Sequence, residues 1–332
     1  MADSVNTMSS LDLGILEECE DWLLQSIYFP SKVGGKPAWL DLYNLPEKII
    51  CTKCSKPCVF LCQVYAPIEE KASCFHRTLY IFMCKDSDCC VDNDNSNFKV
   101  LRCQLSRKNE FYSFEPAIED ENWVPDISPK QCTLCTVCGA KGPSRCGKCK
   151  MAFYCSKEHQ IMDWKLCHKT KCTEPEENVP VEDQQDGERS EESELKKFEK
   201  MVKEGKAGTM QGDTSLEKLV ESKEDKELTK FSKQIKKNPL QVLRYGRGGK
   251  PLWMTSANIP KENEIPNCGH CGASRIYEFQ ILPQMLNYLN LDDTAKSIDW
   301  GILAIYTCSE SCDGDPAYKE EFIWKQDIIC EA

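Results

Sequence analysis

Apolar residues gather in short runs separated by polar, glycine- and proline-containing breaks. Leu79-Tyr80-Ile81-Phe82-Met83-Cys84 and Leu303-Ala304-Ile305-Tyr306-Thr307-Cys308 are rich in β-branched and aromatic residues, which predicts strands. Gln63-Val64-Tyr65 and Gln280-Ile281-Leu282 sit in further runs of the same kind. Residues 283–291 read as helical, with Pro283 suited to the first helical position. Leu216, Leu219 and Val220 fall at helical spacing. Asn238-Pro239 marks a break before the last ordered block. The longest apolar runs are about six to eight residues, against the roughly 20 that a helical membrane span needs.

The runs belong to a repeat. Gly34-Gly35-Lys36-Pro37-Ala38-Trp39 recurs as Gly248-Gly249-Lys250-Pro251-Leu252-Trp253. A Cys-x-x-Cys follows each, at Cys51 and Cys54 and at Cys268 and Cys271. Gln63 and Gln280 stand nine residues past the second cysteine of each pair. The two strand-like runs follow, ending at Cys84 and Cys308, with one more cysteine at Cys89 and Cys312. The order is kept with offsets of 214 to 224, which excludes chance. Glycine pairs before Lys-Pro-x-Trp suit loops with unusual backbone dihedrals. The expected fold is α+β, mainly β. A pseudo-symmetric, duplicated β-rich body is built from an N-terminal half (10–118) and a C-terminal half (238–330).

Charge locates what lies between the halves. The 332 residues fit roughly two domains, and the whole chain carries −11. From Cys132 to Cys172 there are eight Lys/Arg and two Asp/Glu, a local +6; from Glu174 to Glu194 there are ten Asp/Glu and one Arg. The acidic run has too little apolar surface to offset its ordering entropy and reads as disordered. Residues 132–172 are thus an inserted module, and 173–237 an acidic, then Lys-rich, flexible linker. The first twenty residues lack a basic stretch followed by an apolar one, so no signal peptide is expected. The 23 cysteines, clustered in Cys-x-x-Cys pairs without a secretion signal, point to zinc rather than disulfides.

The inserted module carries the densest cluster: Cys135, Cys138, Cys146, Cys149, Cys155, His159, His168 and Cys172. Eight thiol and imidazole donors supply two tetrahedral zinc sites, and in so short a segment the metal must provide much of the folding energy. Cys132 forms a competing Cys-x-x-Cys with Cys135, and Cys167 is spare. The spacing resembles the MYND zinc finger. That resemblance implies cross-bracing, with Cys135, Cys138, Cys155 and His159 on one zinc and Cys146, Cys149, His168 and Cys172 on the other. It departs from the commoner pattern at His159, where cysteine is usual. It also implies that Gln160 and Trp164, four apart and so on one helical face, line a groove for proline-containing peptides. The alternative for Trp164 is a cover over the zinc core. Tyr154 reads as core.

Each outer half offers one more four-cysteine set: Cys51, Cys54, Cys84 and Cys89, and Cys268, Cys271, Cys308 and Cys312. Two pairs some 30 to 36 residues apart suit a ribbon-like zinc site joining hairpin tips; Cys90 competes with Cys89. Four zinc ions in all are expected. Cys58, Cys62, Cys74 and Cys103 lack repeat counterparts and read as structural. His76 and His270 read as surface or supporting groups, not ligands.

Longer motifs carry a wider resemblance. Phe29-Pro30-Ser31-Lys32-Val33-Gly34-Gly35 with Pro37 and Trp39, Gln63-Val64-Tyr65-Ala66-Pro67, Arg107-Lys108-Asn109 with Phe111-Tyr112, Tyr154-Cys155-Ser156-Lys157-Glu158-His159-Gln160 and Arg244-Tyr245-Gly246-Arg247-Gly248 resemble the programmed cell death protein 2 family. So does Lys296-Ser297-Ile298-Asp299-Trp300-Gly301 with residues 322–327. The resemblance implies a dedicated chaperone for one newly made small-subunit ribosomal protein, of the universal S-five class (S-two in eukaryotes), acting in ribosome biogenesis. An acidic chain suits a basic client.

The rival reading is an adaptor working through the finger in transcriptional corepression or in cell-death and proliferation signalling. An enzyme is not expected. Gly246-Arg247-Gly248-Gly249 lacks the Gly-Lys-Ser/Thr of a phosphate loop, and two of four histidines are assigned to zinc. No membrane or direct nucleic-acid partner is expected, the chain reads as a monomer, and residence in both cytoplasm and nucleus is anticipated.

Overall fold

The structure, a computed structural model, describes residues 11–123, 133–173, 226–289 and 298–327. Its architecture follows from two strands buried along their whole length, β4 (His76–Met83) and β10 (Ile302–Cys308). On β4, Leu79, Ile81 and Met83 enter one apolar cluster while Tyr80 and Phe82 enter another. On β10, Leu303 and Ile305 join the first of these, and Ile302, Ala304 and Tyr306 a third. Strands covered on both faces need apolar residues at nearly every position, which is why these runs read as continuous rather than alternating.

The remaining strands of this sheet are β1 (Asp12–Ile15), β2 (Lys32–Val33), β3 (Val59–Tyr65), β5 (Phe98–Leu105), β8 (Gln241–Tyr245), β9 (Arg275–Ile281) and β11 (Tyr318–Gln326). The nine are antiparallel, in the order β1-β8-β9-β10-β11-β5-β4-β3-β2. The sheet curls, so that Leu61 and Val64 of β3 share a core with Val242 of β8 and Phe279 of β9. The outer halves contribute the meanders β3-β4-β5 and β9-β10-β11, which meet where Tyr318 to Glu321 pair with Cys103 to Val100. Two fully buried ion pairs cross that seam. Arg77 grips Glu278 with both nitrogens (2.6 and 2.8 Å), and Arg102 Nε meets Glu321 at 2.7 Å.

The repeat reappears in matching details. Register slips by one residue in β3–β4 at Leu61 and in β9–β10 at Glu278, each two residues before the repeat's glutamine. Gln63 Oε1 accepts from Ala38 N (2.8 Å) and Gln280 Oε1 from Leu252 N (2.6 Å). Both amides return a hydrogen bond to the same residue's carbonyl. Gly34 and Gly248 hold φ of +71° and +77°, a region that favours glycine.

What covers the outer face differs between the halves. Trp39 in the N-terminal half packs with Cys135, Cys138 and Ala140 of the finger, and its indole donates to Gly139 O at 2.6 Å. Trp253 packs instead with Phe231 and Ile235 of a helix, Lys226–Ile235. The finger holds the small pair β6 (Ser144–Arg145) and β7 (Phe153–Tyr154) and the helix α1 (Lys157–Asp163). A π-helical turn, Trp164–His168, and α2 (Lys169–Lys171) continue α1; the helix Lys226–Ile235 is α3.

Three expectations need correction. The linker read over 173–237 includes α3, whose buried Leu228, Phe231 and Ile235 form a stripe at i, i+3 and i+7 among charged residues. The stretch 283–291 is a 3-10 helix over Pro283–Tyr288, with proline in its first turn. His76, which stands outside all four ligand sets as expected, is buried and not at the surface, stacked on Phe29 at 4.1 Å and bonded through Nδ1 to Tyr65 OH at 2.9 Å. The acidic run 174–194, the spacing at Leu216, Leu219 and Val220, and Cys132 lie outside the described residues.

Candidate metal centres

One local structure occurs four times. In each Cys-x-x-Cys the first cysteine's carbonyl accepts from the residue four on: Ser55, Gly139, Lys150 and Gly272, at 2.9 to 3.1 Å. The first cysteine's own N–H is returned to Lys56, Ala140, Ala152 and Ala273 at 2.7 to 2.9 Å. The four residues closing the turn have φ of +58°, +71°, +58° and +76°. Such a turn presents two thiols from one knuckle and turns backbone N–H groups toward the first sulfur.

The knuckles meet the other donors in four sets, within each of which all ligand atoms lie within 4.8 Å of one another. These are Cys51, Cys54, Cys84 and Cys89; Cys135, Cys138, Cys155 and His159; Cys146, Cys149, His168 and Cys172; and Cys268, Cys271, Cys308 and Cys312. The finger's sets are interleaved along the chain. Cys90 stands aside, its Sγ 3.6 Å from Asp86 O, and Cys167 is exposed beside Asp163 at 3.2 Å. Cys58, Cys62, Cys74 and Cys103 are buried, and Tyr154 is core, its hydroxyl donating to the buried Asp163 carboxylate at 2.7 Å. His270 is exposed.

The spacings fit zinc. Zn–S bonds of about 2.3 Å and Zn–N bonds of about 2.0 Å make tetrahedra with S···S edges of about 3.8 Å and S···N edges of about 3.5 Å. Here Cys54–Cys84, Cys138–Cys155, Cys146–Cys172, Cys268–Cys312 and Cys271–Cys308 sulfurs stand 3.5 to 3.8 Å apart. Nδ1 of His159 is 3.5 Å from Cys135 Sγ and 3.3 Å from Cys155 Sγ; Nε2 of His168 is 3.5 Å from Cys149 Sγ. Disulfide sulfurs would stand about 2.05 Å apart. Mostly buried sets of soft donors with interleaved ligands suit structural zinc, which would supply positive charge to the thiolates and join distant segments.

In each set the thiol lowered is that of the first knuckle cysteine, while burial and neighbouring thiols raise Cys84, Cys138, Cys172 and Cys312. A hydrogen bond with His168 and the knuckle N–H of Cys149 bring Cys146 down to about 6. Burial pushes Cys268 up, but the N–H groups of Cys271 and His270 outweigh it and leave the thiol at about 7. Cys51 is lowered against its burial by N–H groups of Cys54 and Lys53. Burial pulls His159 down, and the thiols of Cys135 and Cys155 raise it to about 9.

Ser156 caps α1, its hydroxyl accepting from His159 N at 3.2 Å, and so fixes where the imidazole starts. The π-helical turn then brings His168 to Cys149; such turns often mark functional sites. Gln160 is half-buried. Trp164 is 39% exposed and meets the His168 ring edge-on at 5.9 Å, so one indole both touches a ligand and offers a face to solvent. Ile161, Met162 and Leu166 are exposed around it.

One supporting residue carries no local sequence signal. Arg102, in the N-terminal half, reaches Cys312 of the C-terminal set at both O (3.2 Å) and Sγ (3.6 Å).

Residues 10–119 match the family described as programmed cell death protein 2, N-terminal domain, and residues 225–327 its C-terminal putative domain. Residues 135–172 match the MYND finger. Programmed cell death protein 2 of Rattus norvegicus is 43% identical over 343 residues, covering 96% of this chain and 97% of the relative. Programmed cell death protein 2-like of Homo sapiens is 26% identical over 85% of each chain. A Schizosaccharomyces pombe protein named Probable 20S rRNA accumulation protein 4 is 32% identical over 90 residues, 24% of this chain and 22% of that one. No solved structure matches. With two family domains flanking a MYND finger and such identity across nearly its whole length, the chain belongs to the programmed cell death protein 2 family.

Proposed function

We propose that this chain is a zinc-bearing chaperone that shields a newly made basic small-subunit ribosomal protein, of the universal S-five class, and supports assembly of the small ribosomal subunit. The observation that carries the reading is the kinship with a protein named for 20S rRNA accumulation. The net charge of −11 supports it, because a basic client is attracted and kept soluble by an acidic surface. In this reading the outer halves are copies of one ancestral unit related by pseudo-symmetry, and the acidic run after the finger is a flexible, charge-complementary arm. Four structural zinc ions hold the fold, one in each set. No catalytic step is involved. The chain works as a monomer in cytoplasm and nucleus and needs neither membrane nor direct nucleic-acid contact.

The finger supports a second, compatible role. Gln160 and the exposed Trp164, with Ile161 and Met162 beside them, offer an apolar face on which a proline-containing peptide could be captured, as an adaptor would do.

The test is a tagged pull-down from growing cells with quantified partners, comparing wild type, a chain lacking 132–172, and Cys268→Ser/Cys271→Ser. The chaperone reading expects the ribosomal protein to dominate, to survive loss of the finger and to be lost with the cysteine pair. Its absence, with corepressor proteins that vanish with the finger, overturns that reading in favour of the adaptor.

A further inference from the structure

The curled sheet does not close on itself. β1 pairs with β8 through Asp12↔Tyr245, Leu13↔Arg244 and Gly14↔Leu243, and has no strand on its other side among the described residues. Across a cleft of 370 Å³ it faces Val64, Tyr65, Ala66 and Pro67, where β3 ends. β1 and the end of β3, past the residues that pair with β2, thus flank one cleft without pairing to each other. An unpaired margin is a template for another strand unless lysine, proline or a bulge blunts it; residues 11–16 contain neither lysine nor proline, and the irregularity at Gly14/Ile15 leaves Asp12–Gly14 as the regular edge. Leu11 and Ile15 are 50% and 49% exposed.

Charge specifies what would pair there. Residues 11–31 hold Asp12, Glu17, Glu18, Glu20 and Asp21 and no lysine or arginine. All five carboxylates are exposed and none forms an ion pair among the described residues. We propose that the β1 margin binds an extended basic segment of a partner chain as an added strand. Its alternate apolar side chains enter the cleft beside Leu13, Val64 and Leu243, and its lysines or arginines meet the carboxylates. Main-chain pairing supplies affinity, and alternate side chains supply selectivity. The partner's identity rests on the client reading above; the surface rests on the sheet.

The test uses the full-length, zinc-loaded chain and a labelled eight-residue peptide alternating valine and lysine. Saturable binding is expected, with slower amide exchange confined to 11–16 and 64–67. Glu17→Gln, Glu18→Gln and Glu20→Gln together, all at exposed positions, should weaken binding ~10-fold at low salt, since each charge acts through screened attraction. A peptide with proline at its centre, lacking the N–H that a ladder needs, should not bind. Undiminished binding to the triple variant, or protection elsewhere, overturns the proposal. So does faster exchange at 11–16 in a chain lacking residues 1–10, which would mean that the chain's own N-terminus fills the cleft. Loss of the ribosomal client with peptide binding intact would overturn the client reading alone.

Discussion

Arg102 on β5 lies against Cys312 across the seam between the two halves, its guanidinium 3.2 Å from the cysteine's carbonyl oxygen and 3.6 Å from its sulfur. Gln104 and Lys71 of the same half donate to Ser311 O at 3.1 and 3.2 Å. The loop that closes the C-terminal ligand set is therefore held from both halves, by Arg102, Gln104 and Lys71 on one side and by Arg247, on Cys308 O, Ser309 O and Ser311 Oγ, on the other. Among the described residues the Cys84–Cys89 loop is held instead from within its own half, by Lys56 on Asp86.

Arg102→Met should accordingly weaken zinc at that one set. Removing a partner that supports a ligand typically costs 10–100-fold in metal affinity. The expected result is faster zinc release to a chromogenic chelator from one site, the other three unchanged. Arg77→Met is the control: it breaks a buried pair in the same seam, worth about 3–5 kcal/mol when one partner is removed, without touching Cys312. Both variants should melt lower, and only the first should lose metal. Equal release rates would show that the contact does not support the ligand.

Two glycines in equivalent knuckles should respond differently to alanine. Gly139 and Gly272 both sit at positive φ, so each alanine adds a strain of roughly 1–2 kcal/mol. A Cβ at Gly272 meets nothing within 4 Å, whereas one at Gly139 would stand 2.6 Å from Pro37 Cδ and 3.2 Å from Lys36 Cβ. Gly139→Ala should push the finger off the Gly-Gly-Lys-Pro-x-Trp loop. Limited proteolysis should then release the finger, while Gly272→Ala stays intact with a slightly lower melting temperature.

The ligand sets are legible in the sequence because a knuckle is a local object: a few consecutive residues fix both thiols, and the repeat names the other pair. The strands are legible for the same reason, since burial on both faces writes itself as an unbroken apolar run. Arg102 is not, because nothing near Leu101-Arg102-Cys103 marks a partner 210 residues away. Nor is the finger's seat on Trp39, whose indole donates to a backbone carbonyl 100 residues away and packs with Cys135, Cys138 and Ala140. α3 escapes because three apolar residues among lysines and glutamates look like a solvated segment until Trp253 supplies the surface they cover.

His76 should make stability pH-dependent. Burial, with Arg107 nearby, lowers its pKa from 6.5 to about 4. Between those values the unfolded chain binds a proton that the folded chain does not, so stability falls as pH falls through this window. Zinc release at acid pH acts on any variant, so the comparison is differential. His76→Gln, able to keep the bond to Tyr65, should show a shallower fall in melting temperature between pH 6.5 and 4. Parallel curves would rule His76 out as the titrating group.

The finger's two metal sets should differ in reach. Cys135 and Cys138 belong to the same buried cluster as Trp39, Tyr80 and Phe82, so the first set forms part of the N-terminal half's core. Cys146, Cys149 and Cys172 pack in a separate cluster with Tyr154. Cys135→Ser should release one zinc and loosen the outer face of β4. A loss of ~2 kcal/mol there lowers the melting temperature by about 3 °C in a chain of this size. Cys146→Ser should also release one zinc, yet leave the main transition unchanged to within about 1 °C, because little of the sheet's core depends on it. Amide exchange should rise over 144–171 in the second variant and extend to 39–45 and 80–83 only in the first. Equal shifts in both would mean that the finger folds and docks as a single cooperative unit, with its far site coupled to the sheet as strongly as its near one.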